Sequence, residues 1–130
     1  MSKKIVNTDK APEPVGPYNQ SVQAGNIIFL SGQIPLNPQT GELVTDSVEA
    51  ETHQVMKNLE AVLDANGCTF EDVVSCSVFV KDMEDYARVN DVYSTYFDEK
   101  TAPTRALVEV SRLPKDVRVE ISAIAMKNSK

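Results

Sequence analysis

The chain has 130 residues, of which 42% are hydrophobic and 25% charged, with a formal net charge of −6. That length suits one domain whose core needs no disulfide or metal staple, so residues 1–130 are read as a single unit. The negative charge speaks against nucleic acid as a partner, since phosphate binding needs clustered Lys and Arg, and no run reaches the ~18 apolar residues of a membrane span.

At the N-terminus only Ile5 and Val6 follow Met1-Ser2-Lys3-Lys4, so no secretory segment is expected. Cys68 and Cys76 make no metal spacing and read as reduced thiols of a cytoplasmic protein. Pro12, Pro14, Gly16 and Pro17 keep the next stretch extended or turning. Residues 26–31 predict a strand that stops at Gly32, and turns follow over 35–41. Asp46 or Ser47 can cap a first helix that ends at Asn66-Gly67. Within it Val48, Val55, Leu59, Val62 and Leu63 fall at helical spacing, and the lone histidine, His53, lies on the opposite side. One histidine cannot serve a histidine-pair nuclease or a multi-histidine metal site, and His53 on a solvated face has no nucleophile beside it. Any chemistry must therefore come from carboxylates, Arg, Tyr, Ser, Cys or the backbone.

Residues 73–80 alternate, with Val74, Cys76, Val78 and Val80 expected on one face. A second helix, capped near Asp82, carries Tyr86, Val89, Tyr93 and Phe97 as an expected buried stripe. Two strands, 104–110 and 118–126, flank the turn at 113–116 and read as a hairpin. This order predicts an α+β fold, a mostly antiparallel sheet with two helices packed on one face.

In the expected hairpin, Ala106, Val108 and Val110 share a side, as do Val119, Ile121, Ala123 and Ala125. If those apolar sides lie under the helices, Arg105 and Glu120 emerge together on the other face. Pairing Glu109 with Arg118 then makes Arg105 and Glu120 diagonal neighbours, about 7–8 Å apart. A guanidinium there can grip a carboxylate by two parallel hydrogen bonds, and a nearby Glu can orient or deprotonate water. A plain cross-strand ion pair is the alternative.

The chain resembles the Rid (YjgF) family of reactive-intermediate deaminases, nearest its imine-hydrolysing branch. The resemblance runs from about Ala11 to Met126, through Val15-Gly16-Pro17-Tyr18, Ser31-Gly32-Gln33-Ile34-Pro35, Thr40-Gly41-Glu42, Val78-Phe79-Val80-Lys81-Asp82, Val89-Asn90, Pro103-Thr104-Arg105, Arg112-Leu113-Pro114-Lys115-Asp116 and Val119-Glu120-Ile121. It implies a chorismate-mutase-like (YjgF) fold, assembled as a homotrimer around a central barrel with sites between subunits. It also implies hydrolysis of 2-imino acids, 2-iminopropanoate and 2-iminobutanoate among them, to 2-oxo acids and ammonia. No cofactor and no metal are implied.

Carried over by position, Arg105 would hold the substrate carboxylate and Glu120 would orient the attacking water. Tyr18 would close one wall, Ser31 and Gly32 would let the ligand approach the backbone, and Asn90 would reach in from the second helix. The chain departs from the branch at Leu107, where a Cys is usual, and at Ser122, where a second Glu is usual. Leu107 supplies no thiol and makes the cleft drier. It leaves open a ligand-sensing or protein-binding trimer with little turnover, and a translation-inhibiting endoribonuclease is a third reading. Leu107, Ile124 and Met126 on the uncovered sheet face argue for a partner surface.

Overall fold

In the computed structural model, which describes residues 2–127, the elements follow in the order β1 (Lys4–Val6), β2 (Ser21–Ala24), β3 (Ile27–Gln33), α1 (Val48–Ala65), β4 (Val73–Val80), α2 (Tyr86–Tyr93), β5 (Thr104–Glu109) and β6 (Val119–Met126). Local chemistry accounts for most of these boundaries. Strands β2 and β3 pair through a two-residue loop in which Gly25 takes φ +63, the left-handed conformation such tight turns require. Helix α1 starts where Ser47 Oγ accepts the Ala50 N–H at 3.0 Å and ends before Gly67 at φ +74. Helix α2 is shorter than its apolar spacing suggests. Asp82 caps a single 3-10 turn over Met83–Asp85, α2 follows, and Phe97 lies beyond its end. Tyr86, expected to be buried, is 42% exposed.

The strands form one sheet in the order β1-β2-β3-β6-β4-β5. Every pair is antiparallel except β4 with β5, which is parallel because α2 carries the chain back between them. The expected β5–β6 hairpin therefore does not form. The segment 110–118 crosses the end of β4, and β6 enters the sheet between β3 and β4. Both helices cover one face, where Val55, Met56, Leu59, Val62 and Leu63 of α1 and Val89 of α2 pack against Ile28, Leu30, Cys76, Val78, Val80, Ile121 and Ala123. A bulge between Val73 and Ser75 puts Val73, not Val74, on the buried side of β4.

Register decides which way each strand residue points. On the helix side, Cys76 lies between Ala123 and Arg105, and Val78 between Ile121 and Leu107. On the open side, Phe79 lies between Glu120 and Val108, and Ile124 between Phe29 and Ser75. That open face keeps Phe29, Val108 and Met126 exposed.

A buried ion pair fastens α1 to the start of β6. Glu51, 1% exposed, accepts both the backbone N–H and the Nε–H of Arg118, and Arg118 Nη2 also donates to the Thr45 carbonyl at 2.9 Å. Glu51 is the buried member and the Arg118 side chain is 37% exposed, so removing the carboxylate leaves the Arg118 backbone N–H and Nε–H without their acceptor at the α1–β6 junction. Glu51→Ala is expected to cost about 2 kcal/mol, seen as a lower urea midpoint at unchanged m-value.

Candidate functional site

The expected site residues divide into two groups on opposite sides of the sheet. Arg105 and Leu107 face the helices, whereas Glu120 faces the open side. Along β4, Arg105 pairs with Cys76 and Glu120 with Phe79, three residues apart, and β4 itself separates their strands. They therefore stand roughly 10 Å apart across the sheet and roughly 10 Å along it. This corrects both the diagonal pairing expected from a hairpin and the shared face. The cause is the α2 crossover. It makes β5 an edge strand parallel to β4, and the apolar Ala106 and Val108 then face outward on a side that is itself apolar.

The first group centres on Arg105, half-buried on the edge strand. Its Nη1 donates to Asn90 Oδ1 at 2.8 Å and its Nη2 to the Tyr86 hydroxyl at 3.1 Å. The guanidinium carbon lies 4.9 Å from the centre of the Tyr93 ring and 5.7 Å from that of Tyr86. Positions 86, 90 and 93 fall on one helical face, so α2 supplies the whole cradle. No ion pair neutralises Arg105 among the described residues, and its remaining N–H groups are available to an anion. Leu107, half-buried two residues on, packs at the rim of the core. Burial raises the Cys76 thiol above its ordinary range, which keeps it protonated and unreactive beneath Arg105.

The second group lies around Glu120. This half-buried carboxyl makes no hydrogen bond and no ion pair among the described residues, and burial raises its pKa above the ordinary carboxylate value. It rests on the backbone of Gly32 at the end of β3, where a Cβ would overlap Oε2 and stand 3.0 Å from Cδ. Gly32 thus makes room for the carboxyl. Beside it, Ser31 Oγ donates to the Asn19 carbonyl at 2.6 Å, and the Ser31 N–H donates to the Gln20 carbonyl at 2.9 Å. Ser31 thereby ties the segment that follows Tyr18 to β3. Tyr18 is half exposed, its N–H bonded to the Gly16 carbonyl at 2.8 Å.

Two hollows of about 700 Å³ each lie elsewhere, one between Lys57 of α1 and Phe70, the other between Thr8 and Leu36. Neither borders Arg105 or Glu120. His53 Nδ1 lies 3.0 Å from the Tyr96 hydroxyl, outside both groups. The core stripe expected from the sequence holds for Tyr93, which is buried, and not for Tyr86; the contact of both rings with Arg105 was missed. Their spacing with Asn90 was the available signal.

The profile of the Endoribonuclease L-PSP family matches residues 8–127. The chain belongs to this family, known also as Rid or YjgF. Among its Rid relatives, the RutC family protein PH0854 of Pyrococcus horikoshii is 50% identical over 96% of this chain and 98% of its own. TdcF of Escherichia coli K12, which carries the provisional name of a reactive intermediate deaminase, is 45% identical over 98% of this chain and 99% of its own. The crystal structure of E. coli TdcF with bound serine superposes with a TM-score of 0.90 at 44% identity, covering 96% of this chain and 99% of that one. A structure of the Rid protein YyfA from Yersinia pestis gives 0.93 at 42% identity, covering 96% and 99%. The two helices on a mixed, mostly antiparallel sheet are the Rid fold. No helix among the described residues is long and apolar enough to cross a membrane.

Proposed function

We propose that this protein hydrolyses 2-imino acids, such as 2-iminopropanoate and 2-iminobutanoate and their enamine tautomers, to 2-oxo acids and ammonia, without a cofactor. In this role it removes reactive products of pyridoxal-phosphate-dependent dehydratases. The carrying observation is that each chain presents, among the described residues, a guanidinium without an ion-pair partner on one side of the sheet and a partnerless, half-buried carboxyl on the other. One chain cannot close these two groups on one small molecule.

Assembly can. The open face, with Phe29, Val108 and Met126 uncovered, and the free edge of β5 both suit packing against further copies. A homotrimer with these faces around a central barrel would set Arg105 of one subunit against Glu120 of the next, with Tyr18, Ser31, Gly32, Asn90 and Leu107 lining the cleft. Arg105 then holds the substrate carboxylate by paired N–H donors. Glu120 orients water onto the carbon of the C=N bond and accepts a water proton as the new C–O bond forms. Glu120 passes that proton to the imine nitrogen as the C=N π bond opens, which gives a carbinolamine bearing OH and NH2. A second transfer, from the OH through Glu120 to the nitrogen, then breaks the C–N bond, and ammonia leaves as the C=O of the 2-oxo acid forms. No covalent enzyme intermediate is needed, so Leu107 in place of a thiol is compatible with this route. The serine in the TdcF structure is an α-carboxylate ligand of the required kind.

The test is a coupled assay in which a dehydratase generates the imine in semicarbazide-containing buffer. Added protein should speed 2-oxo acid appearance and suppress semicarbazone, and no change in either would refute the reading. Tight binding of 2-oxobutanoate without turnover would favour the sensing alternative, which Leu107 motivates. The name of the Endoribonuclease L-PSP family motivates an RNA-cleavage control, and the net charge of −6 predicts no cleavage.

Gly32→Ala separates position from presence. The three atoms nearest the added methyl all belong to the flexible Glu120 side chain, so the fold should survive while the carboxyl moves. We expect kcat/KM to fall about 100-fold, with little change in melting temperature by scanning calorimetry.

A further inference from the structure

Tyr86 opens α2 on the exposed side of Arg105, and its phenol oxygen is taken as an acceptor by Arg105 Nη2 at 3.1 Å. A phenol also donates one hydrogen, and among the described residues nothing accepts that of Tyr86. Tyr93, two turns on beneath the same guanidinium, differs: its hydroxyl is buried without a hydrogen-bond partner and cannot meet an incoming molecule. Asn90 uses its Oδ1 on Arg105 Nη1. The one cradle hydroxyl that is both oriented by Arg105 and open to solvent therefore belongs to Tyr86.

We propose that Tyr86 is a ligand-binding residue of this half-site. Its hydroxyl donates to the same carboxylate that Arg105 grips, turning a two-donor clamp into a three-donor one. This rests on the reading of Arg105 as a carboxylate clamp. A cationic donor on the phenol oxygen polarises the O–H and strengthens it as a donor. The ring lies near the guanidinium carbon, 5.7 Å from it to the ring centre, which helps hold the clamp in place before any ligand arrives. The ligand class is a small 2-oxo or 2-imino acid with a free carboxylate.

Tyr86→Phe removes the hydroxyl and keeps the ring. Calorimetric titration of 2-oxobutanoate into the full-length parent, Tyr86→Phe and Arg105→Ala separates the possibilities. Tyr86→Phe should bind about tenfold more weakly, with KM for the imine rising by the same factor, kcat within about twofold of the parent and the melting temperature unchanged. Arg105→Ala should show no binding. If Tyr86→Phe binds as the parent does while Arg105→Ala does not, Tyr86 has no direct contact and the clamp stands alone. If Tyr86→Phe lowers kcat at unchanged KM, the hydroxyl acts elsewhere than on the carboxylate and the proposal is overturned. If Arg105→Ala binds as well as the parent, the clamp reading itself fails.

Discussion

Arg105→Ala is expected to lower kcat/KM for 2-iminobutanoate by about 1000-fold and to remove measurable binding of 2-oxobutanoate. The size follows from what the substitution leaves behind. A ligand carboxylate would enter a place lined by Tyr86, Tyr93 and Leu107, with its charge unmatched. Arg105→Lys should recover only a small part, because an ammonium is a point charge that cannot reproduce paired donors or the flat contact with Tyr93. Loss of folding is not the route. Arg105 lies on an edge strand and makes no ion pair, so the melting temperature should fall by no more than a few degrees. Steady-state kinetics with the dehydratase-coupled assay, together with calorimetry, measures both effects. Turnover by Arg105→Ala equal to the parent's would remove the guanidinium from the mechanism.

Glu120→Gln should lower kcat by about 100- to 1000-fold while leaving 2-oxobutanoate binding within about threefold. The amide keeps the shape over Gly32 and gives up the proton chemistry. The pH dependence carries a sign that can be checked. Burial raises the Glu120 pKa, so the carboxyl stays protonated to a higher pH than an ordinary glutamate. As base it works only when ionised, so the acid limb of the kcat profile should lie above the usual carboxylate range and be absent from Glu120→Gln. The same shift acts on stability in the opposite sense. A pKa raised in the folded state favours folding below the unfolded value, and the advantage is lost as pH rises through the folded value. Ionised Glu120 therefore opposes folding at neutral pH, and Glu120→Gln should be at least as stable there as the parent. Thermal scans at pH 5 and about pH 8 test this. A variant less stable than the parent at the higher pH would contradict the desolvated-carboxyl account.

Sequence patterns and structure agree where a residue's local chemistry is decisive. Ser47 and Gly67 bracket α1 as capping rules require, and β6 alternates around Val119, Ile121, Ala123 and Ala125 as written. Two short strands escaped notice. Strand β1 has three residues, and β2 shows its place only through the turn at Gly25-Asn26, of which Asn26 reads as part of the following strand. The face of β5 came out reversed for a more general reason. Alternation says which residues share a side but not which side meets the core, and both sides of β5 carry apolar residues. The spatial order of β4, β5 and β6 could not be read from a nine-residue connection that fits a hairpin as well as a crossing. The identities of Arg105 and Glu120 as candidates were legible in the family motifs, while their separation onto opposite faces was not. That separation moves the proposed chemistry from a pocket within one chain to a seam between chains.

Mixing two inactive variants tests the seam directly. Arg105→Ala and Glu120→Gln subunits, co-expressed or unfolded together and refolded, would form mixed trimers. Some seams then receive Arg105 from a Glu120→Gln subunit and Glu120 from an Arg105→Ala subunit. With random assembly about one quarter of the seams hold both groups, so activity should return to about one quarter of the parent value. If the mixture stays as inactive as either variant alone while size-exclusion and mass analysis show that mixed trimers have formed, Arg105 and Glu120 do not meet across subunits.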